Sequence, residues 1–479
     1  MAEEQPKIAI IGGGITGLTT AFYLNKLKDE FGSSFEFALY ESEDRLGGKM
    51  RTIRKDGFVI ECGPDSYLAR KEAALRLIQA LGIQDQLVRN ETGGAYVLLR
   101  NKLHAIPDGA AMGIPTKISP FIITGMFSFL GKIRASFDFF LPRSSSGDRD
   151  QSLGTFFRYR FGGEVVENLI EPLLSGIYAG DIDNLSLMST FPQFYHVEQK
   201  YRCLIYGMKK AISQPRQRPG ARKPGIFQTL NNGLESIVEA VENQLPAEVI
   251  FKEKRVANIV KANGEYELNF ADGSKELFDY VVVTTPHQVT ARILNRYNAV
   301  KPLAEMSSTS VATVALAFPE SAIKEDLDGT GFVVSRNANY TITACTWTHK
   351  KWLHTAPKGY VLLRTYVGRA NDSGIVDESD RTIVNVVLND LGKIMKIDNK
   401  QLLFSVVSRW KESMPQYAVG HRDRINTVRN QLKVECPGII LAGAAYEGIG
   451  VPDCIEQGEN IARRLKTTLF KSCQAKVWI

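Results

Sequence analysis

The sequence predicts a protein of the α/β class with an α+β second lobe, divided into more than one domain. Three observations predict this. The chain opens with an apolar strand, a glycine turn, a helical segment and a second strand, within residues 7–41. A second glycine turn follows an apolar strand at residues 438–454. Helical and β-rich stretches lie separately between these turns, and 479 residues are more than one core usually organises.

The opening turn has the spacing of a dinucleotide-binding site. Gly12, Gly14 and Gly17 fit the pattern G-x-G-x-x-G between the strand at 8–11 and the following helix. The first glycine permits a tight turn, the second lets the backbone approach a pyrophosphate, and the third allows close packing of helix on strand. Glu41 ends the next strand and can accept hydrogen bonds from a ribose diol. The unit therefore predicts an adenine dinucleotide, and a glycine turn without a ligand is the alternative.

A second motif indicates which dinucleotide is expected. The segment that follows Glu41 contains Arg45, Gly47, Gly48 and Lys49. A cation and two glycines here would supply a second phosphate contact and a loop that passes close to the cofactor. The motif resembles the R-x-G-G element of FAD enzymes of the amine-oxidase type, and a solvated charged turn is the alternative. Since no second G-x-G-x-x-G unit appears, we expect no NAD(P)H site and electron transfer to oxygen or another acceptor.

The C-terminal glycine turn predicts contacts to the flavin ring. A strand at 439–443 leads through Gly450 into a helix that begins near Pro452. Backbone N–H groups at Gly450 and Val451 would stabilise negative charge on the N1–C2=O edge of the reduced ring. Trp410 is a second candidate neighbour, since a broad aromatic side chain shields the flavin from bulk water. A core tryptophan is the alternative.

Composition and charge narrow the functional classes. Lys and Arg exceed Asp and Glu, giving a formal net charge of +7, which favours anionic ligands or an anionic membrane surface. No nucleic-acid-binding module is recognisable, so we expect no nucleic-acid partner. The six cysteines form no C-x-x-C pair and no metal-ligand spacing, so we expect reduced thiols in a cytoplasmic protein without a metal site.

The longest apolar run, at residues 118–131, is too short to span a bilayer, so we expect no transmembrane segment. A buried helix is one interpretation of this run. A weak contact with a membrane surface, supported by the nearby Lys132 and Arg134, is the other.

The order of helical and β-rich segments predicts three domains. Residues 66–215 would form a mainly helical domain with part of the substrate site, and residues 291–409 a substrate-binding domain with a mixed β-sheet. The basic segment 209–223 contains no acidic residue and is predicted to be a mobile loop. The FAD-binding Rossmann-type domain would be discontinuous and would collect residues 1–65, 225–290 and 410–479.

Together the motifs resemble one family along nearly the whole chain. The chain is similar to the porphyrinogen oxidases of the flavin amine-oxidase superfamily, especially the soluble type of Gram-positive bacteria. The matching stretches are residues 12–17, 45–49, 63–66, 168–181, 410–417 and 443–453. The part at 172–181 is the most specific, because it resembles a porphyrinogen-oxidase signature and not a general flavin motif.

The resemblance implies an FAD that is bound non-covalently. Ala444 stands where many amine oxidases carry an acidic residue, which separates this chain from amine oxidases in the narrow sense. No cysteine lies in residues 444–447, so a covalent flavin link there is not expected. The implied FAD contacts are Gly12, Gly13, Gly14, Ile15, Thr16, Gly17, Glu41, Ser42, Arg45, Gly48, Lys49, Gly63, Pro64, Asp65, Ser66, Val256, Trp410, Ile449, Gly450 and Val451.

The resemblance also implies a reaction. Enzymes of this type oxidise coproporphyrinogen III to coproporphyrin III in haem biosynthesis, a six-electron oxidation with molecular oxygen as acceptor and hydrogen peroxide as product. Protoporphyrinogen IX, with two propionates instead of four, is expected to be accepted more poorly. The next enzyme of the haem pathway is a candidate partner. The alternatives are protoporphyrinogen IX as main substrate, another flavin desaturase or amine oxidase, and a non-enzymatic carrier on the same fold.

Four further residues are candidates for the substrate cavity. No catalytic dyad is visible, so we expect the flavin itself to carry the chemistry. Arg70 and Lys71 follow the segment 63–66 and are candidates for propionate binding. Ile177 lies in the signature, and Tyr366 lies on a predicted strand of the second lobe. Tyr366 is the one candidate for a catalytic role, and a structural role is the alternative for all four.

Overall fold

A computed structural model describes residues 5–31, 35–91, 94–145, 149–211, 225–324 and 328–475. The basic segment predicted as a mobile loop at 209–223 lies outside these residues, apart from its first three positions.

The strands of the described residues are numbered in chain order. They are β1 (Lys7–Ile11), β2 (Glu36–Tyr40), β3 (Thr52–Lys55), β4 (Phe58–Glu61), β5 (Tyr67–Leu68), β6 (Leu87–Arg89), β7 (Tyr96–Leu99), β8 (Lys102–Ala105), β9 (Ala110–Ala111), β10 (Ile114–Pro115), β11 (Phe227–Leu230), β12 (Ile250–Phe251), β13 (Val256–Ala262), β14 (Glu265–Phe270), β15 (Lys275–Phe278), β16 (Tyr280–Val283), β17 (Ser308–Pro319), β18 (Gly331–Val334), β19 (Ile342–Trp347), β20 (Tyr360–Val367), β21 (Phe404–Pro415) and β22 (Ile439–Leu441).

The α-helices are numbered in the same way. They are α1 (Ile15–Phe31), α2 (Glu72–Leu81), α3 (Ile118–Ile123), α4 (Phe129–Ser136), α5 (Leu153–Phe161), α6 (Gly163–Val165), α7 (Glu171–Tyr178), α8 (Leu187–Thr190), α9 (Pro192–Tyr201), α10 (Leu204–Ala211), α11 (Glu235–Gln244), α12 (His287–Ile293), α13 (Lys301–Ala304), α14 (Thr348–Lys351), α15 (Asp380–Ile394), α16 (His421–Glu435) and α17 (Val451–Ala475).

The predicted Rossmann-type unit is a five-stranded parallel sheet with the strand order β12-β2-β1-β16-β22. The central strand β1 pairs Ile11 with Tyr40 on one side and with Val283 on the other. The central strands are buried apolar runs, as expected where both faces of a parallel sheet are covered. One face packs against α1, α2, α11 and α17. The other packs against β13–β15, α12, α13 and α16.

The predicted second-lobe sheet has seven strands in the order β21-β17-β20-β19-β18-β7-β8. Neighbouring strands are antiparallel except β18 and β7, which are parallel. α15 packs against its core. Three strands depart from the expected domain ranges. β7 and β8 come from the segment predicted to be mainly helical, and β21, with Trp410, crosses the expected boundary at residue 410.

Helices dominate residues 118–211, where side chains of α3–α10 share one hydrophobic core. Within them, a π-helical turn at Val166–Ile170 leads directly into α7. α2 departs from the expected helical domain, because its apolar face packs against the core of the parallel sheet.

The prediction of a buried helix at 118–131 is wrong. The chain forms the two short helices α3 and α4 there, and five of the large apolar side chains in this stretch are exposed to solvent. Among the described residues, no helix is both long enough and apolar enough to cross a membrane.

Candidate functional site

The first glycine turn has the geometry that the spacing predicts. Gly12 has a φ of +105°, in the region that favours glycine. A Cβ atom on Gly17 would lie 2.0 Å from the carbonyl oxygen of Gly12, so only glycine lets α1 pack this closely on β1. A Cβ atom on Gly14 would meet no atom within 4 Å. Gly14 therefore borders open space at the start of α1, where a phosphate group can approach the helix N-terminus.

The R-x-G-G loop lies directly against this turn. Gly47 donates a backbone hydrogen bond to the carbonyl of Gly13 (2.8 Å) and forms a parallel bridge with Gly14. A Cβ atom on Gly48 would lie 3.4 Å from Cα of Gly14. The loop thus passes beside the space that Gly14 borders, as the sequence predicts.

Arg45 holds this loop in shape. Its guanidinium donates to the carbonyls of Gly48 (2.9 Å) and Met50 (2.7 Å) and to the carboxylate of Glu235 (2.9 Å). The predicted second phosphate contact is therefore not the main role that the structure gives this side chain. Three of its hydrogen bonds fix the loop that follows β2.

Glu41 lies at the end of β2, beside the glycine turn. Its carboxylate accepts hydrogen bonds from the backbone N–H of Gly13 (2.7 Å) and of Glu43 (2.9 Å), and from the hydroxyl of Ser42 (3.1 Å). Its backbone N–H donates to the carbonyl of Phe251, at the end of β12, and its carbonyl accepts from the N–H of Lys254, in the loop before β13. Val256, the implied adenine contact, begins β13 two residues further on and is buried.

The C-terminal turn meets the first one through packing of α17 on α1. α17 begins at Val451, close to the predicted start, and the carbonyl of Gly450 accepts from the N–H of Cys454 (3.0 Å). A Cβ atom on Gly458 would lie 2.7 Å from the carbonyl of Thr16, so glycine again permits the close approach of two helices. The N-termini of α1 and α17 consequently lie on the same side of the parallel sheet, and a helix N-terminus presents backbone N–H groups that its own turns leave unpaired.

The segment 63–66 joins the loop after β2 to the second sheet. A Cβ atom on Gly63 would lie 1.8 Å from the carbonyl of Lys49 and 3.6 Å from the ring of Trp410. The indole Nε1 of Trp410 donates to the carbonyl of Cys62 (2.8 Å), and the ammonium of Lys49 donates to the carbonyl of Ser413. Burial lowers the pKa of Lys49 to about 8. Trp410 and Lys49 thus lie together where β21 reaches the dinucleotide-binding unit.

Sequence reasoning missed a buried charge cluster around Asp65. Burial alone raises the pKa of this carboxyl, but Lys351 and Arg364 hold it well below its usual range. The ammonium of Lys351 lies 2.9 Å from Asp65 Oδ2. Arg364 donates to the carbonyl of Gly63 and to the hydroxyl of Tyr366 (2.9 Å), and its guanidinium carbon lies 4.9 Å from the centre of that ring. A single arginine inside the apolar strand β20 was the signal that could have revealed the cluster.

Tyr366 is part of this cluster, and its hydroxyl is engaged by Arg364. Burial raises the pKa of Tyr366. The structure thus connects this candidate residue with the segment 63–66, through one arginine that bonds to both Tyr366 and Gly63.

Of the other substrate candidates, Lys71 lies at the start of α17. The ammonium of Lys71 lies 2.6 Å from both carboxylate oxygens of Asp453, in the first turn of α17. Burial and the charge of Asp453 raise the pKa of Tyr178, which is adjacent in sequence to the half-exposed Ile177. Arg70 is exposed. The structure therefore brings Lys71 and the signature helix α7 to one carboxylate, Asp453, for which the sequence suggested no role.

The fold and this site define a class of protein, the flavin-dependent oxidoreductases with a Rossmann-type FAD domain and a second sheet for substrate. The chain belongs to the flavin-containing amine oxidoreductases, whose family model matches residues 15–466. The cradle at Gly14, which a Cβ atom would fill, and the glycine loop beside it fit an FAD. The predicted fold and cofactor are confirmed, and the chain is an FAD-dependent oxidoreductase.

Within this family, the similar proteins include several porphyrinogen oxidases. The chain is 52% identical to coproporphyrinogen III oxidase of Bacillus subtilis over 98% of this chain and 100% of that protein. It is 43% identical to the Staphylococcus aureus protein of the same name, over 96% of this chain and 98% of that one. A solved structure from Exiguobacterium, named as a candidate protoporphyrinogen oxidase, superposes with a TM-score of 0.87 at 39% identity, covering 97% and 99% of the two chains. The resemblance to the porphyrinogen oxidases is confirmed.

Proposed function

We propose that this protein is a coproporphyrinogen III oxidase of haem biosynthesis. The reaction removes six electrons and six protons from coproporphyrinogen III, giving coproporphyrin III while three molecules of oxygen become hydrogen peroxide. The observation that carries this proposal is the match at 52% identity, over the full length of the relative, to a protein of that name. A cytoplasmic location and a contact with the next enzyme of the pathway remain predictions from the sequence.

The chain would hold FAD along the carboxyl edge of the parallel sheet. Gly14 and Gly48 border the space for the pyrophosphate, and Glu41 lies where the adenosine ribose would bind. The start of α17, at Gly450 and Val451, offers backbone N–H groups to the flavin ring. When bound, FAD accepts electrons from the substrate in pairs and passes them to oxygen.

Lys71 would bind a substrate propionate while keeping its bond to Asp453. An ammonium group has three N–H donors, and two suffice for the two oxygens of Asp453. The third remains for a carboxylate of the substrate. Arg70 supplies a neighbouring exposed cation, and the half-exposed Ile177 supplies apolar surface for a macrocycle.

Two buried histidines are unsuited to act as general bases. His287 bonds to the carbonyl of Leu303 and to Ser308, and burial lowers its pKa. His421 bonds to the carbonyl of Tyr446, and burial lowers its pKa to about 4. Both rings are occupied by structural hydrogen bonds, so we assign neither histidine as a base for the three protons that would leave the substrate alongside three hydrides; these protons would pass to solvent or to another nearby base.

Side-by-side turnover of the two porphyrinogens tests the proposal. We expect a higher kcat/KM for coproporphyrinogen III than for protoporphyrinogen IX, because four propionates offer more anchoring points than two. We also expect either substrate to reduce the bound flavin under anaerobic conditions, and NADPH to leave it oxidised. A higher kcat/KM for protoporphyrinogen IX would contradict the substrate assignment.

The Lys71→Ala variant tests the propionate site. We expect a raised KM for both substrates, with flavin content unchanged. The matched control is Lys252→Ala, because Lys252 forms a surface ion pair with Glu242 next to the edge strand β12. Unchanged KM values in Lys71→Ala would remove Lys71 from the substrate site.

A further inference from the structure

An ion pair joins α2 to the first turn of α17. The ammonium of Lys71 lies 2.6 Å from both carboxylate oxygens of Asp453. Lys71 is the residue before α2, and Asp453 is the third residue of α17. The two side chains are 39% and 23% exposed. Since partly exposed ion pairs add little to stability, the pair is of interest for the charges that it brings to this helix end.

The carboxylate of Asp453 lies against the glycine turn that leads into α17. A Cβ atom on Gly450 would lie 2.7 Å from Asp453 Oδ2, and one on Gly448 would lie 2.7 Å from Asp453 Cγ. Gly448 also has a φ of +88°, which favours glycine. The turn therefore folds closely around a carboxylate. This puts a full negative charge beside the backbone that the proposed function assigns to the flavin ring.

Other groups at the start of α17 also lie within reach of this charge. Burial raises the pKa of the Cys454 thiol to about 11, and the charges of Asp453, Lys49 and Lys71 all act on this thiol. Lys49 in turn lies near Trp410, because a Cβ atom on Gly63 would contact both the Lys49 carbonyl and the Trp410 ring. The ion pair is thus part of the electrostatic environment in which the flavin ring would sit.

Reduction of the flavin adds negative charge at this helix end. A hydride brings two electrons and one proton to the neutral ring, so the reduced ring holds one negative charge, which collects at the N1–C2=O edge. A helix N-terminus stabilises such charge, because it acts as roughly +0.5 elementary charge. The −1 charge of Asp453 alone would offset this effect, and the +1 charge of Lys71 restores it.

We propose that the ion pair of Lys71 and Asp453 sets the reduction potential of the bound flavin. The effect rests on the proposed function, which places the flavin ring at Gly450 and Val451. Asp453 lowers the potential and Lys71 raises it, and in the pair the two contributions nearly cancel. Neither side chain has to touch the reacting atoms. A propionate contact through the third N–H of Lys71 is compatible with this role.

Reduction potentials of the FAD-loaded protein test the proposal, measured anaerobically against a reference dye at one fixed pH. Lys71→Met leaves the charge of Asp453 uncompensated, so we expect a lower potential. Asp453→Asn leaves the charge of Lys71 uncompensated, so we expect a higher potential. We expect the equilibrium constant for reduction to change ~10-fold in each direction, which is about 30 mV for a two-electron couple. The double variant should return close to the potential of the unaltered protein.

A second ion pair between the same two helices provides the matched control. Arg76 is 40% exposed and lies 2.8 Å from Glu459. Glu459 follows Asp453 by about 9 Å along α17, which exceeds the Debye length of about 8 Å at physiological salt. Arg76→Met should therefore leave the potential unchanged. Lys71→Arg, which keeps the positive charge, should do the same.

The signs of the shifts decide the outcome. Shifts of Lys71→Met and Asp453→Asn in the same direction would overturn the proposal, as would unchanged potentials in both variants or an equal shift in Arg76→Met. If one variant fails to retain FAD, the other still decides, because a shift opposite to its expected sign overturns the proposal. None of these results depends on which porphyrinogen is preferred, so the proposed function can stand where the proposal on the ion pair fails.

Discussion

Gly17→Ala should lower the stability of the fold, whereas Gly14→Ala should weaken FAD binding, because the two glycines serve different purposes. A Cβ atom on Gly17 would lie 2.0 Å from the Gly12 carbonyl oxygen and 2.9 Å from the Thr284 hydroxyl. Cβ atoms essentially never lie within 3.0 Å of another heavy atom of this kind, so α1 would have to move by about 1 Å from the Gly12 carbonyl, at a cost of about 1–3 kcal/mol. A Cβ atom on Gly14 meets nothing within 4 Å, so Gly14→Ala should change the stability of the protein without FAD by less than about 0.5 kcal/mol.

FAD affinity should fall more in Gly14→Ala than in Gly17→Ala, the reverse of the order expected for stability. The new methyl group of Gly14→Ala occupies the space through which a phosphate would reach the N-terminus of α1. Loss of one or more charge-assisted hydrogen bonds of about 1.5–3 kcal/mol corresponds to a roughly 10- to 150-fold weaker Kd. In Gly17→Ala, FAD binding is weakened only indirectly, through the displacement of α1.

Two measurements check this pair of outcomes. Urea unfolding of the deflavinated protein gives the stabilities, and quenching of flavin fluorescence on titration gives the affinities. Wild-type FAD affinity in Gly14→Ala would refute the assignment of that space to the pyrophosphate. An unchanged unfolding midpoint in Gly17→Ala would refute the packing argument.

Two further predictions concern single carboxylates. Glu41→Ala should weaken FAD binding by about 1–3 kcal/mol, because the ribose hydroxyls lose their acceptor. The control Glu43→Ala, on the same loop, should leave FAD binding unchanged. Equal Kd values for the two variants would contradict the ribose assignment. Burial raises the pKa of Glu61 to about 7, from the usual 4.5, so its stabilising contribution is complete below about pH 4.5 and is lost as the pH rises through 7. Glu61→Gln should therefore gain stability relative to wild type between pH 5 and pH 8, by up to about 3 kcal/mol in urea unfolding, and a difference independent of pH would contradict the prediction.

The dinucleotide-binding unit could be predicted from the sequence because its constraints are local. Gly12 is required by its positive φ and Gly17 by its approach to the Gly12 carbonyl, both within one turn, and the fixed order of strand, turn and helix places Glu41 beside them. The start of α17 was predictable for the same reason, since a glycine turn after a strand leads into a helix N-terminus.

Placement across long distances in the chain was not predictable. β7 pairs with β18 more than 200 residues away, and β21 carries Trp410 in the second sheet instead of the FAD domain. Such pairings depend on which strand edges meet in the folded protein, and local sequence patterns do not indicate this. For the same reason the sequence suggested Lys71 as a propionate-binding candidate but did not reveal its ion pair with Asp453.

The sequence by itself determined the cofactor class and the family, because glycine spacing and strand patterns are short-range and the signature at 172–181 is specific. Only the tertiary structure decided which charges are buried together and which apolar side chains stay exposed. Arg364, Lys351 and Asp65 meet from separate segments of the chain, and their low exposure makes the pairing obligatory. The apolar run at 118–131 has the composition of a buried helix, yet Phe121, Met126 and Phe127 join the helical core while five of its large apolar side chains stay exposed, a division that only the packing of the short helices α3 and α4 decides.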